Sequence, residues 1–277
     1  MGLRISTNMA SKVARRHLGE VTKNQQKAYE KLSSGKQVLS AADDAAGWAI
    51  SESFRAQIRS MKQAKVNANT GISFTQVAEG GLNEIGSLII RLRELAIQAS
   101  SDTIGDRERG YINKEVVSLV DEVDRIANIT EFNGTSLLNG SDDKTEIQLQ
   151  VGIRNNEADR IIFDISENDV RTETLGIEGL NFEAIDDARD SIEAIDGALA
   201  QVNNVRASLG AVQNKLHSTT SNLDVAQENL QNAKSVVADA DIAEQTSILV
   251  KNNILQKAGV SVLTQANAAP KQALRLL

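Results

Sequence analysis

Cysteine is absent from the 277 residues, which excludes disulfides, thiolate metal sites and cysteine nucleophiles. Proline occurs once and glycine 18 times, together about 7% of the chain against roughly 12% in average usage, so few turns are enforced. Five Phe, two Tyr and one Trp are the only aromatics, and any core must be aliphatic. No apolar run approaches the ~18 residues of a membrane span, and the first twenty residues lack the apolar block of a secretory leader. The expectation is a soluble chain with no cleaved leader and no membrane contact. What is abundant is alanine, 33 residues, alongside Leu, Ile and Val. That composition favours long helices.

Charge is unevenly placed. Residues 1–19 carry Arg4, Lys12, Arg15 and Arg16 with no acid, and residues 245–277 carry Lys251, Lys257, Lys271 and Arg275, again with no acid. Taking those eight bases from the 30 leaves 22 against 37 acids in the middle, a net of -15. Four charges per arm, with no aromatic residue in the C-terminal one, make neither a phosphate track nor a stacking platform, which argues against nucleic-acid binding. Both basic ends are suited to meeting an acidic surface.

The strongest periodicity lies in the C-terminal half. Counting by seven from Ile195 gives Val202, Leu209, Leu216, Leu223, Leu230 and Val237, and a companion seam begins at Ala198, Val205 and Val212. A sustained heptad pattern predicts a coiled-coil helix from about Phe182 to Val237, ~80 Å long at about 1.5 Å per residue. Such a helix needs partners to cover its stripe. Leu82, Ile85, Ile89, Leu92, Ala96 and Ala99 predict one, continuing a spacing that begins near Phe54 and Met61, with Leu88 and Leu95 as a second stripe. Ile112, Val116, Leu119, Val123 and Ile126 predict another, with the break and helix start among Asp102, Thr103, Gly105 and Asp106.

Both termini repeat the theme more weakly. Leu18, Val21, Gln25, Ala28 and Leu32 form one short stripe. Ile248, Asn252, Leu255, Gly259, Val262, Ala266 and Ala269, continuing to Ala273 and Leu276, form another. These side chains are small or polar, so neither arm should hold its helix alone in water. Pro270 is expected to kink or end the last helix.

Between the helical halves the period changes to two. Ile147, Leu149 and Val151, then Ile161, Phe163 and Ile165, alternate with polar residues and predict a β-hairpin, led into by turns at Asn133-Gly134 and Asn139-Gly140. Residues 166–182 read as a polar connection at the far tip.

No chemistry-bearing motif stands out. His17 and His217 are far apart in sequence and read as structural or solvated. HExxH, GxSxG and GxGxxG patterns are missing, and Asp239, Asp241 and Glu244 read as helix caps. No enzyme, cofactor or metal is expected.

The motifs that remain are long and collinear. Leu32-Ser33-Ser34-Gly35-Lys36 and Ser40-Ala41-Ala42-Asp43-Asp44-Ala45-Ala46-Gly47, then Arg91 to Gln98, Phe132-Asn133-Gly134 and Gln150-Val151-Gly152, are similar to the N-terminal signature of bacterial flagellin. Ala207 to Ala211, Ala238-Asp239-Ala240-Asp241, Ile254 to Gly259 and Gln265-Ala266-Asn267 match its C-terminal signature. The resemblance covers nearly the whole chain and implies the extracellular, self-assembling subunit of the motility filament, a structural protein. The implied fold is mainly α: a long coiled-coil helical bundle with a small β-hairpin region at about 140–180. It further implies that residues 1–45 and 238–277 pair as coiled-coil arms lining the filament's inner tube. Residues 46–237 would then form a rod-like domain with no outer variable domain. Assembly residues on that reading are Leu18, Val21, Ala28, Leu32, Ile248, Leu255, Val262, Ala266 and Leu276. The implied partners are other copies of the chain, an export chaperone on the C-terminal arm, cap and junction proteins, and an innate immune receptor at Arg91, Leu95 and Glu115. Ile90 departs from the glutamine usual before that arginine. Export by the flagellar type III route is implied as well. Two rival readings are a hook-filament junction protein, against which the intact motifs at both ends argue, and a secreted enzyme carried on such arms, for which residues 165–182 leave no room.

Overall fold

The computed structural model describes residues 7–140 and 146–274, with side chains through Ala269. It is mainly α. Four long helices and two shorter ones follow in the order α1 (Met9–Ser34), α2 (Ala45–Ala99), α3 (Asp106–Ile129), α4 (Thr172–Leu175), α5 (Ile185–Ala238) and α6 (Ile242–Leu274). Between α3 and α4 lie β1 (Glu131–Phe132), β2 (Thr135–Ser136), β3 (Glu146–Gln150) and β4 (Arg160–Asp164). The chain divides into two compact units, residues 59–227 and the combination of residues 1–58 with 228–277. Both α2 and α5 contribute residues to each.

The 59–227 unit holds the main core. The stripe Leu82, Ile85, Ile89, Leu92, Ala96 and Ala99 on α2 is fully buried, as its spacing predicts, against Ile112, Val116 and Val123 of α3 and Ile195, Ala198, Val202 and Leu209 of α5. Burial along the α5 heptads is complete to Leu216 and partial at Leu223, Leu230 and Val237. The α2–α3 break falls where the sequence places it, but the cap position is Gly105, with no side-chain cap bond, and Asp106 and Glu108 occupy the first turn where the helix dipole favours them.

Two antiparallel hairpins sit on this bundle. In the second, Ile147 pairs with Phe163 and Leu149 with Ile161, which sets the alternating apolar residues on one face, as expected from their period. The first turns through Asn133 and Gly134, both at positive φ (54° and 75°), the geometry that matches strand twist in a two-residue loop. Phe74 of α2 meets Phe132 and Phe163 edge-on, with centroids 6.0 and 4.9 Å apart. Gly71 makes a close approach possible: a Cβ there would stand 2.5 Å from Leu149 and 3.2 Å from Leu216. Only glycine lets the hairpin and α5 reach α2 at that level.

Residues 166–182 correct the sequence reading. This segment is not a polar connection, because Val170, Leu175, Ile177 and Phe182 are buried in the main core. Its apolar residues follow neither a 2- nor a 3.6-residue period, so periodicity had no hold on them. The α6 helix also runs past Pro270 to Leu274. No described helix is long and apolar enough to cross a membrane.

Candidate assembly site

The second unit brings the two ends of the chain together. Helices α1 and α6 pack along each other in opposite directions. Asn8 Nδ2 donates to the Ala266 carbonyl at 2.7 Å, Ser11 Oγ to Asn267 Oδ1 at 2.8 Å, and Gln25 Nε2 to Asn253 Oδ1. Leu18 lies 3.3 Å from the place a Cβ on Gly259 would take.

The motifs at the inner ends of the arms have a local physical role. Gly35 closes α1 in the left-handed conformation, its N–H bonded to the Lys31 carbonyl. Asp44 Oδ1 accepts from the Ala46 and Gly47 N–H groups at 3.0 Å and caps α2. Asp241 Oδ1 accepts from Ala243 N (2.8 Å) and Glu244 N (3.2 Å) and caps α6. The two linkers are stitched to each other: Gln37 N donates to the Ala238 carbonyl at 2.8 Å, Ala240 N to the Gly35 carbonyl at 2.9 Å, and Gln245 Nε2 to Gln37 Oε1 at 3.2 Å. Val38 and Ala238 are buried beneath those bonds. Lys27 holds the Asp43 carboxyl below its ordinary range, helped by Ser40.

Of the assembly residues expected from sequence, Leu18, Val21, Leu32, Ile248 and Ala266 are half-buried and Ala28 is buried. Leu255 and Val262 are not in that seam. They are 43% and 54% exposed on another side of α6, together with Ile242, Val250 and Ile254, the last 62% exposed. The seam uses Leu249, Gln256 and Leu263 instead, flanked by the buried Gln245 and Asn252. Apolar residues occur on two sides of α6, and both sides repeat every three or four residues. Spacing alone joined them into one stripe. Leu276 lies outside the described residues.

The three residues expected to form a recognition patch divide. Arg91 donates Nε and Nη2 to Glu115 Oε1 at 3.0 and 2.9 Å, and Nη1 to Glu94 at 3.0 Å, linking α2 to α3 on the surface. Leu95 is only 1% exposed and belongs to the core. Ile90 stands out on the surface beside Arg91. A parallel staple, missed from sequence because its partners are 103 residues apart, joins Arg93 Nε to Asp196 of α5 at 2.6 Å.

Comparison with known proteins decides the family. Residues 5–143 match the bacterial flagellin N-terminal helical region, and residues 192–277 match the bacterial flagellin C-terminal helical region. This chain belongs to the bacterial flagellin family. It is 41% identical over 273 residues to a flagellin of Halalkalibacterium halodurans and 40% identical over 285 residues to flagellin FlaB1 of Treponema pallidum, covering 99% of each pair of chains. With a flagellin of Bacillus subtilis it shares 36% over 309 residues, spanning 99% of this chain and all of the relative. Among solved structures, Bacillus cereus flagellin superimposes with a TM-score of 0.51 at 26% identity over 57% of this chain and 88% of that one. A Vibrio parahaemolyticus protein described as hook-associated shares the fold, with a TM-score of 0.60 at 16% identity over 71% of this flagellin chain and 99% of its own.

Proposed function

We propose that this flagellin chain is the structural subunit that polymerises, head to tail, into the extracellular flagellar filament. The observation that carries the reading is the paired terminal arms. Both chain ends converge in one antiparallel helix pair, yet α6 leaves Ile242, Val250, Ile254, Leu255 and Val262 exposed on the side turned from α1. An exposed apolar helix face calls for a partner. The partner that fits is another copy of the chain, since its contact is heterologous and does not close, which yields an open helical polymer. The basic arms and the acidic middle add charge complementarity between copies.

On this reading residues 1–45 and 238–277 line the inner tube, residues 46–237 form the surrounding layer, and the arms gain their full order from their neighbours. An export chaperone covers the α6 apolar face before assembly, export follows the flagellar type III route, and cap and junction proteins meet the filament ends. Receptor recognition, where it occurs, uses the exposed Arg91–Glu115 pair rather than the buried Leu95.

The test is removal of residues 245–277 from the full chain. The shortened protein is expected to keep the helical signal of the 59–227 unit and to stay in the supernatant after ultracentrifugation under polymerising salt. Pelletable filaments, seen by electron microscopy, would refute the role given to α6.

A further inference from the structure

The α1·α6 seam has one layer unlike the others. Seven residues along both helices from the Leu18–Gly259 contact, Gln25 stands level with Asn252. Asn252 is 6% exposed, and its Nδ2 has no hydrogen-bond partner, while Gln25 spends its amide on the neighbouring Asn253. The layers on either side pair small or aliphatic residues, among them Val21, Ala28 and Leu249.

We propose that the Gln25–Asn252 layer fixes the register of the terminal arms and keeps them separable. The seam is otherwise nearly self-similar at a heptad step: Leu18, Gln25 and Leu32 on one helix, Asn252, Gly259 and Ala266 on the other. A slip of seven residues keeps its small and aliphatic positions facing inward, so apolar burial hardly distinguishes the registers. The polar layer does. In either slipped register Asn252 comes level with Leu18 or Leu32, an amide buried against leucine, and Gln25 loses Asn253. A buried polar residue at a seam position specifies alignment in this way at a cost in stability. The unpartnered Nδ2 is that cost. This inference concerns the helix pair and stands whether or not the chain polymerises.

The experiment uses the full-length chain, whose lack of cysteine makes engineered thiols unambiguous. Leu18→Cys is combined with Gly259→Cys to report the observed register, or with Ala266→Cys to report a one-heptad slip. Dilute protein is oxidised and intramolecular bridges are read by intact mass. With the native layer, the 18–259 bridge is expected to exceed the 18–266 bridge by about tenfold or more. With Gln25→Leu and Asn252→Leu together, the two yields should approach each other, and amide exchange along α1 and α6 should slow by about tenfold. The single change Asn252→Ala, which adds no bulk, should move both readouts the same way but less. The inference fails if the 18–259 bridge does not form with the native layer, if the leucine layer retains its exclusivity, or if exchange is unchanged or faster in both variants.

Discussion

Asp124 of α3 accepts two hydrogen bonds at one oxygen from Thr172, the backbone N–H at 2.9 Å and Oγ1 at 3.0 Å. Thr172 is buried, so this carboxylate both starts α4 and pins residues 166–182 onto the bundle. A few turns earlier on α3, Asn113 does the same for the Phe182 N–H at 2.9 Å.

Asp124→Ala leaves a buried N–H and hydroxyl without an acceptor, a loss of about 1–3 kcal/mol. Thermal denaturation should show a lowered Tm, and limited proteolysis should cut first within residues 166–182. Asp124→Asn, which keeps one acceptor oxygen, should lose less. Equal stability of Asp124→Ala and the parent protein would mean the clip contributes nothing.

Leucines on α2 and α6 should respond oppositely. Leu92 is fully buried, and Leu92→Ala is expected to cost about 2–5 kcal/mol through the cavity it opens. Leu255→Ala and Ile254→Ala remove exposed side chains and should alter subunit stability by less than about 0.5 kcal/mol. Those two should instead raise the concentration needed for polymerisation, measured by sedimentation. A normal polymerisation threshold in the double α6 variant would count against that face as a subunit contact.

Acid should destabilise the 59–227 unit. Burial pushes the Asp169 carboxyl up, but hydrogen bonds from Arg171 and Thr174 outweigh it and hold the group below its ordinary 3.8. Hydrogen bonding from Arg93 lowers Asp196, and hydrogen bonding from Ser166 lowers Asp164. A carboxyl depressed in the folded state contributes stability that is complete above its unfolded pKa and is lost as pH falls through its folded value. Tm should therefore be level near neutrality and decline below about pH 4. Asp169→Asn should lower Tm at pH 7 and flatten the acid limb; an unchanged limb would remove Asp169 from the account.

How much was legible in advance depended on the kind of signal. The stripe Leu82 to Ala99, the α5 heptads and the hairpin pairs Ile147–Phe163 and Leu149–Ile161 were readable because repeated apolar spacing reports the face a regular element buries. Residues 166–182 were not, since each apolar residue there is buried by a neighbour distant in sequence and no repeat marks it. On α6, Leu255 and Val262 were assigned to the seam because two apolar faces share one period.

The sequence by itself therefore determined the helices, the hairpin, the family and the caps, all of which are local or collinear properties of the chain. Tertiary structure alone decided which side of α6 meets α1, that Leu95 is core while Arg91 is surface, that Asp124 seats Thr172, and that Asn252 lies buried level with Gln25. Those facts depend on the rotation and axial alignment of one element against another, which side-chain packing sets and no spacing within a single helix records.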